Sequence, residues 1–143
     1  MKEDGNSIKQ TDEQEIDKIV EVFFDLFTNT NNRTPNIRKI EDIFLPNGLL
    51  VNNTSGQPEV YDIESFIRPR QEILTNGTLT NFIEKESSHS TAIHGNIAQR
   101  TCTYVKSGEL DKKAFTGQGK KLMQFIKVAD RWLFSSVVWS DTK

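Results

Sequence analysis

The sequence is poor in the residues that build covalent and metal frameworks. It holds one cysteine, two histidines and four prolines in 143 residues. A lone Cys102 excludes an intrachain disulfide and any cysteine-based metal cluster. Two histidines and one cysteine, widely spaced, do not form a metal-ligand set either. No long uncharged apolar run is present, which excludes a membrane-spanning helix. Charge of one sign is also lacking. Eighteen basic and twenty acidic side chains leave a net charge of -2, whereas a nucleic-acid binder normally carries a basic surplus or stripe. The nearest approach to one, Lys112-Lys113 with Lys120-Lys121, reads as a solvated hairpin end. Gly117-Gln118-Gly119 lacks the rest of a dinucleotide fingerprint and opens a strand rather than a helix. No Gly-x-Ser-x-Gly elbow occurs. The expectation is therefore a chain that works without metal, nucleotide cofactor, nucleic acid or membrane.

What remains is ordinary globular composition: 35% hydrophobic and 27% charged residues. A chain of this size buries roughly two-thirds of its extended surface, enough for one core and too little for two domains. Residues 1–10 are polar and read as a disordered leader without the apolar stretch of a secretory signal, so the expected location is cytoplasmic. The Asn-x-Ser/Thr matches at Asn32, Asn52, Asn53 and Asn76 then read as loop composition. Residues 11–140 read as a single domain.

Thr11-Asp12-Glu13-Gln14 forms a capping box. Ile16, Ile19, Val20, Phe23 and Phe27 follow the helical i, i+3, i+4, i+7 spacing over about 16 residues. A short helix is expected over 36–44, then a turn at Leu45-Pro46-Asn47-Gly48 and a short strand over 49–53. Asp62 can cap a third helix carrying Ile63, Phe66, Ile67, Ile73 and Leu74. Pro69 inside it should kink or split it, and Asn76-Gly77 should end it. Beyond Gly77 the periodicity changes to that of consecutive antiparallel strands, expected at about 79–87, 90–105, 114–128 and 131–139. Helices first and strands later predict an α+β fold.

The last two strands are apolar at both parities. Trp132, Phe134 and Val138 alternate with Leu133, Val137 and Trp139, and Leu122, Ile126 and Val128 alternate with Met123 and Phe125. Three helices can cover one face of such a sheet. A second copy of the chain is the economical cover for the other, which predicts a homodimer through the sheet face.

Several segments together resemble a known family: Phe66-Ile67-Arg68-Pro69-Arg70, Asn81-Phe82-Ile83-Glu84-Lys85-Glu86, His94-Gly95-Asn96-Ile97-Ala98-Gln99-Arg100 leading to Tyr104, Gly117 to Phe125, Arg131-Trp132 and the closing Trp139. With the first helix and Phe44-Leu45-Pro46-Asn47-Gly48, they are similar in order and spacing to the nuclear transport factor 2-like superfamily, nearest its small bacterial SnoaL-like branch. The resemblance spans residues 11 to 140. It implies a cystatin-like cone, a strongly curved antiparallel sheet wrapped around three N-terminal helices, often dimeric, with a pocket at the wide end. Relatives include cyclases, an isomerase, a dehydratase, an epoxide hydrolase and non-catalytic carriers, so fold does not decide function.

The catalytic relatives place acid/base pairs inside the cone. His94 and Glu84 are the candidates here. His94 shares parity with Arg100 and Tyr104 if one strand carries all three, a polar triplet that could line a pocket or face solvent. His89 reads as a turn residue. Glu84 and Glu86 share parity. Glu84 could pair with Arg100 or Arg70, or stand as a buried base. Arg70, just past Pro69, could aim its fork inward at a carboxylate or phosphate, or brace helix to sheet. Gln124 interrupts an apolar face, either to fix a polar group of a ligand or to pair with Asn96. Phe27 and Phe66 would supply apolar wall and Trp139 would close the mouth. The candidate ligand-binding set is thus Phe27, Phe66, Arg70, His94, Gln124 and Trp139. The expected partner is a small, partly apolar organic molecule, bound by a carrier or turned over by an acid/base enzyme. A third reading is a dimeric interaction module with a vestigial pocket.

Overall fold

A computed structural model describes residues 10–142 of the chain. The expected leader lies outside the described residues except for Gln10. Helix α1 spans Asp12–Asp25, and its capping box forms as the sequence predicts. The Gln14 amide donates to Thr11 Oγ1 at 3.1 Å, and the Thr11 amide donates to Gln14 Oε1 at 2.9 Å. Two 3-10 turns follow, Thr30–Asn32 and Ile37–Asp42. The second replaces the short α-helix expected over 36–44, because Phe44 already belongs to strand β1 (Phe44–Asn52). Leu45 to Gly48 lies within that strand, where its register against the neighbouring strand shifts. Strand β2 is Glu59–Tyr61.

Helix α2 (Ile63–Thr75) is capped by Asp62, whose carboxylate accepts from the Ser65 amide at 2.8 Å. It runs unbroken through Pro69. Pro69 is exposed, and Phe66, Ile67 and Leu74 keep their apolar stripe against the sheet. That burial holds the helix together across the missing backbone donor.

Four long strands complete the chain: β3 (Leu79–His94), β4 (Ile97–Leu110), β5 (Lys113–Val128) and β6 (Arg131–Asp141). The sheet order is β2-β1-β6-β5-β4-β3. All neighbours are antiparallel except β1 and β6, which run parallel, so the sheet is mixed. It is open and curved, and the helices pack in its hollow.

Two-residue turns join the long strands. The first turn is at Gly95-Asn96, not near residue 89 as the sequence predicts. Ser87, Ser88 and His89 look like a loop by composition. They instead extend an edge strand whose exposed side tolerates polar residues, with a register shift between Glu86 and Ser88. Asp111-Lys112 and Ala129-Asp130 turn with left-handed backbones, φ 50° and 69° at the first pair and 49° and 64° at the second. This is the mirror-image turn that suits strand twist, here built without glycine.

The core fills the concave side. Phe134 stacks on Phe44 at 4.8 Å between centroids and meets Phe125 at 4.7 Å and Phe23 at 5.1 Å. The register shift between Gln124 and Phe125 on β5 corresponds to one extra residue on β6, at Ser135. This bulge changes the parity of β6. Trp132, Phe134, Val137 and Trp139 all face inward, although two are even and two are odd. The apolar residues left on the outer face include Leu49, Leu122 and Val138, which are 45%, 53% and 37% exposed. No helix among the described residues is long and apolar enough to cross a membrane.

Candidate functional site

A cavity of about 350 Å³ lies between α1, α2 and the inner face of the sheet. Its apolar wall comes from Phe23 on α1 and Phe27 just past its end, Phe66, Ile73 and Leu74 on α2, and Leu79, Phe82 and Phe115 on the sheet. Its charged groups are Arg70, Glu84, Lys106, Lys121 and Asp141, with the Asn52 amide beside them. Trp139 lies between the two sets.

Arg70 sits one helical turn beyond Phe66, so α2 directs both at the sheet. The Arg70 guanidinium carbon lies 3.9 Å from the Phe66 ring centre, 4.8 Å from Tyr61 and 5.8 Å from Trp139. Phe66 meets Trp139 and Tyr61 edge-on, at 6.1 Å and 6.0 Å. The three rings form a box around the cation. Among the described residues, its guanidinium donates one hydrogen bond, to the Phe66 carbonyl at 3.2 Å, and no carboxylate pairs with it. The Tyr61 hydroxyl donates instead to Glu59 at 3.2 Å. Burial pulls the Arg70 pKa below its ordinary value, against the opposing influence of Tyr61, Glu59 and Glu84. An arginine stays cationic even so.

Facing Arg70 across the cavity is a network carried by β3, β4, β5 and β6. Lys121 Nζ pairs with Glu84 at 3.0 Å, with the two side chains only 8% and 11% exposed. The same ammonium lies 4.2 Å from the Tyr104 ring centre and 5.1 Å from that of Trp139. The Tyr104 hydroxyl donates a short hydrogen bond to Asp141, and Lys106 Nζ reaches the other Asp141 oxygen at 3.0 Å. Burial opposes the Asp141 charge, but the bonds from Tyr104 and Lys106 outweigh it and hold its carboxyl below the usual range. Burial, then the bonded Asp141, push the Tyr104 hydroxyl well above a normal phenol.

The Gly117-x-Gly119 pair makes this layout possible. Gly119 faces Tyr104 and Gly117 faces Lys106 across the β4–β5 ladder. A Cβ on Gly119 would overlap the Tyr104 hydroxyl, and one on Gly117 would stand 2.9 Å from Lys106 Cε. Both long side chains lie over bare backbone on their way to Asp141.

Glu84 meets Lys121, not Arg100 or Arg70. Arg100 belongs with Glu86, whose carboxylate accepts from Nε at 2.9 Å, and with Asp17 on α1. That buried arginine ties α1 to the sheet behind the cavity. Lys121 is buried, contrary to its expected place on a solvated hairpin end, while Lys120 is exposed.

Four of the six expected ligand-binding residues, Phe27, Phe66, Arg70 and Trp139, line this cavity together with Glu84. His94 and Gln124 do not. Both lie on the outer face, where they border a separate hollow beside Ile97 and Gln99. His94 ends β3 opposite Ile97, whereas Arg100 and Tyr104 face inward. A two-residue turn between His94 and Ile97 reverses the parity, so the expected polar triplet is not formed. Gln124 accepts from Ser136 Oγ at 3.1 Å rather than pairing with Asn96. Lys106, Lys121 and Asp141 were not among the expected site residues. Only the alternation Lys121, Met123, Phe125 pointed to a lysine on the buried side.

No family model matches the chain, and no curated protein matches it. Solved structures match over most of its length. A nuclear transport factor 2-like superfamily protein from Salmonella enterica serovar Typhimurium aligns with a TM-score of 0.73 at 12% identity, covering 91% of this chain and 90% of that one. A nuclear transport factor 2-like protein from Cytophaga hutchinsonii aligns with a TM-score of 0.71 at 12% identity, covering 93% and 100%. LinA aligns with a TM-score of 0.74 at 8% identity, covering 90% and 84%. At these identities the likeness is one of fold. The chain has the α+β, cystatin-like fold of nuclear transport factor 2-like proteins.

Proposed function

We propose that this protein binds a small, partly apolar organic molecule in the cavity between its helices and the hollow of its sheet. The observation that carries this reading is the composition of the cavity: aromatic and aliphatic walls on one side, a few convergent charged groups on the other. Ligand sites characteristically combine these two features. The volume, about 350 Å³, suits a molecule of one or two rings. Native mass spectrometry of the purified protein, joined to a thermal-shift screen of metabolites, tests it. A retained ligand or a saturable rise in melting temperature is expected. Only unliganded protein and no shift across the screen would overturn it.

Acid/base turnover has less support: His94 lies on the outer face, and Glu84, the candidate base that does reach the cavity, is held in a nearly buried ion pair with Lys121 at 3.0 Å.

The outer face supports a reading about assembly. On the outer face Leu122 of β5 stands opposite Val138 of β6, and Val138 opposite Val51 of β1, with exposed Leu49 two residues along the same strand, so apolar side chains run across the three strands. A second copy of the chain is the proposed cover.

A further inference from the structure

We infer that the molecule held in this cavity is a monoanion whose carboxylate is read by Arg70. This rests on the ligand-binding reading above and adds the chemical class. The charges lining the cavity do not balance. Lys121 is matched by Glu84 and Lys106 by Asp141, each at 3.0 Å, which leaves Arg70 as the unmatched cation. One negative group restores neutrality, and a dianion would overshoot it.

The way Arg70 is held selects the shape of that group. Its guanidinium lies over the face of Phe66. A stacked guanidinium is satisfied on its faces by ring electrons, while its N–H bonds radiate in its own plane. One of those edges is used by the Phe66 carbonyl. The remaining fork is matched by the two oxygens of a carboxylate approaching edge-on. The same rings that flank the cation, Phe66 and Trp139, line the cavity beside it. The rest of the ligand is therefore flat and apolar, attached close to the carboxylate. The aromatic box also explains how an arginine without a carboxylate partner is tolerated in a half-buried position, since cation–π contacts offset part of the lost hydration.

Three probes with one ring system, titrated by calorimetry against the intact protein, test this: 2-naphthoate, its isosteric neutral amide 2-naphthamide, and the tetrahedral 2-naphthyl phosphate. The expected result is that the acid binds at least about tenfold more tightly than the amide, as a charge-assisted hydrogen-bond pair implies. Arg70→Met should erase that preference while leaving amide binding in place, and Arg70→Lys should restore part of it. Arg70→Met should also keep its circular-dichroism spectrum, so lost acid binding is not lost folding. Equal binding of acid and amide to the wild type overturns anion recognition and leaves the cavity reading standing. Tighter binding of the phosphate than of the acid overturns the monoanion assignment. If no probe binds and the metabolite screen is also silent, the cavity reading falls and this inference with it.

Discussion

Gly119 on β5 faces Tyr104 on β4, and the space a Cβ would occupy is taken by the tyrosine hydroxyl and by the Ser140 carbonyl oxygen of β6. The hydroxyl crosses that bare backbone to reach Asp141 on β6. Gly119→Ala is therefore expected to destabilise the protein by about 1–3 kcal/mol, the usual range for overpacking. Tyr104→Phe removes the hydroxyl but neither the Ser140 carbonyl, 2.5 Å from that Cβ, nor the ring carbon at 2.7 Å, so the alanine penalty should shrink only in part in that background. Chemical denaturation of the four members of this cycle measures the coupling. Additive effects would show that Tyr104 and Gly119 do not constrain each other.

The Glu84–Lys121 pair is nearly buried, so removing one partner strands the other. Lys121→Met should cost about 3–5 kcal/mol of stability, and the double variant with Glu84→Leu should recover much of it. Urea midpoints of the two variants decide this. A double variant as unstable as the single one would mean that the pair is held by something other than mutual charge.

Asp141 makes stability sensitive to acid. Its pKa is depressed on folding from an ordinary value near 3.8. A depressed carboxyl adds stability that is complete above the unfolded value and is lost as pH falls through the lower folded one. Melting temperatures should drop below about pH 4 for the wild type, and the Asp141→Asn variant should show a shallower slope there. Parallel acid slopes would remove Asp141 from the acid response.

Cys102 is buried on the inner face of β4, and its thiol is pushed up to about 12 by burial and by Glu86. The thiolate is the reactive form. Native protein at pH 8 should therefore resist alkylation, and urea-unfolded protein should react at once. Fast labelling of the native state would show that the inner face opens readily.

The outer face should bury itself against a second copy. Light scattering at micromolar concentration is expected to give about twice 16.4 kDa, and Leu122→Glu should halve that mass without unfolding the chain. A wild type of 16.4 kDa would leave the patch uncovered.

The elements with strong local signals were legible in the amino-acid order. The Thr11–Gln14 capping box, the Asp62 cap, the apolar stripe of α1 and the helix-to-strand change after Gly77 all depend on neighbours within a few residues, and all formed as read. Arg70, Phe27, Phe66 and Trp139 come to one cavity, in keeping with their types and their places along the chain. Other features were set by contacts between distant segments. The bulge at Ser135 changes the inward parity of β6, and the turn at Gly95-Asn96 puts His94 on the far side of the sheet from Arg100. Pro69 is carried by packing that its own helix does not reveal. Glu84 pairs with Lys121, 37 positions apart, although the ladders set Glu84 opposite Lys106 and Lys121 opposite Cys102; the two long side chains meet diagonally across the hollow of the sheet. The sequence by itself determined which segments are helix and which are strand, since propensity and periodicity are local. Only the tertiary structure decided which side chains share a face. In a sheet, a one-residue bulge or a two-residue turn inverts every later side chain.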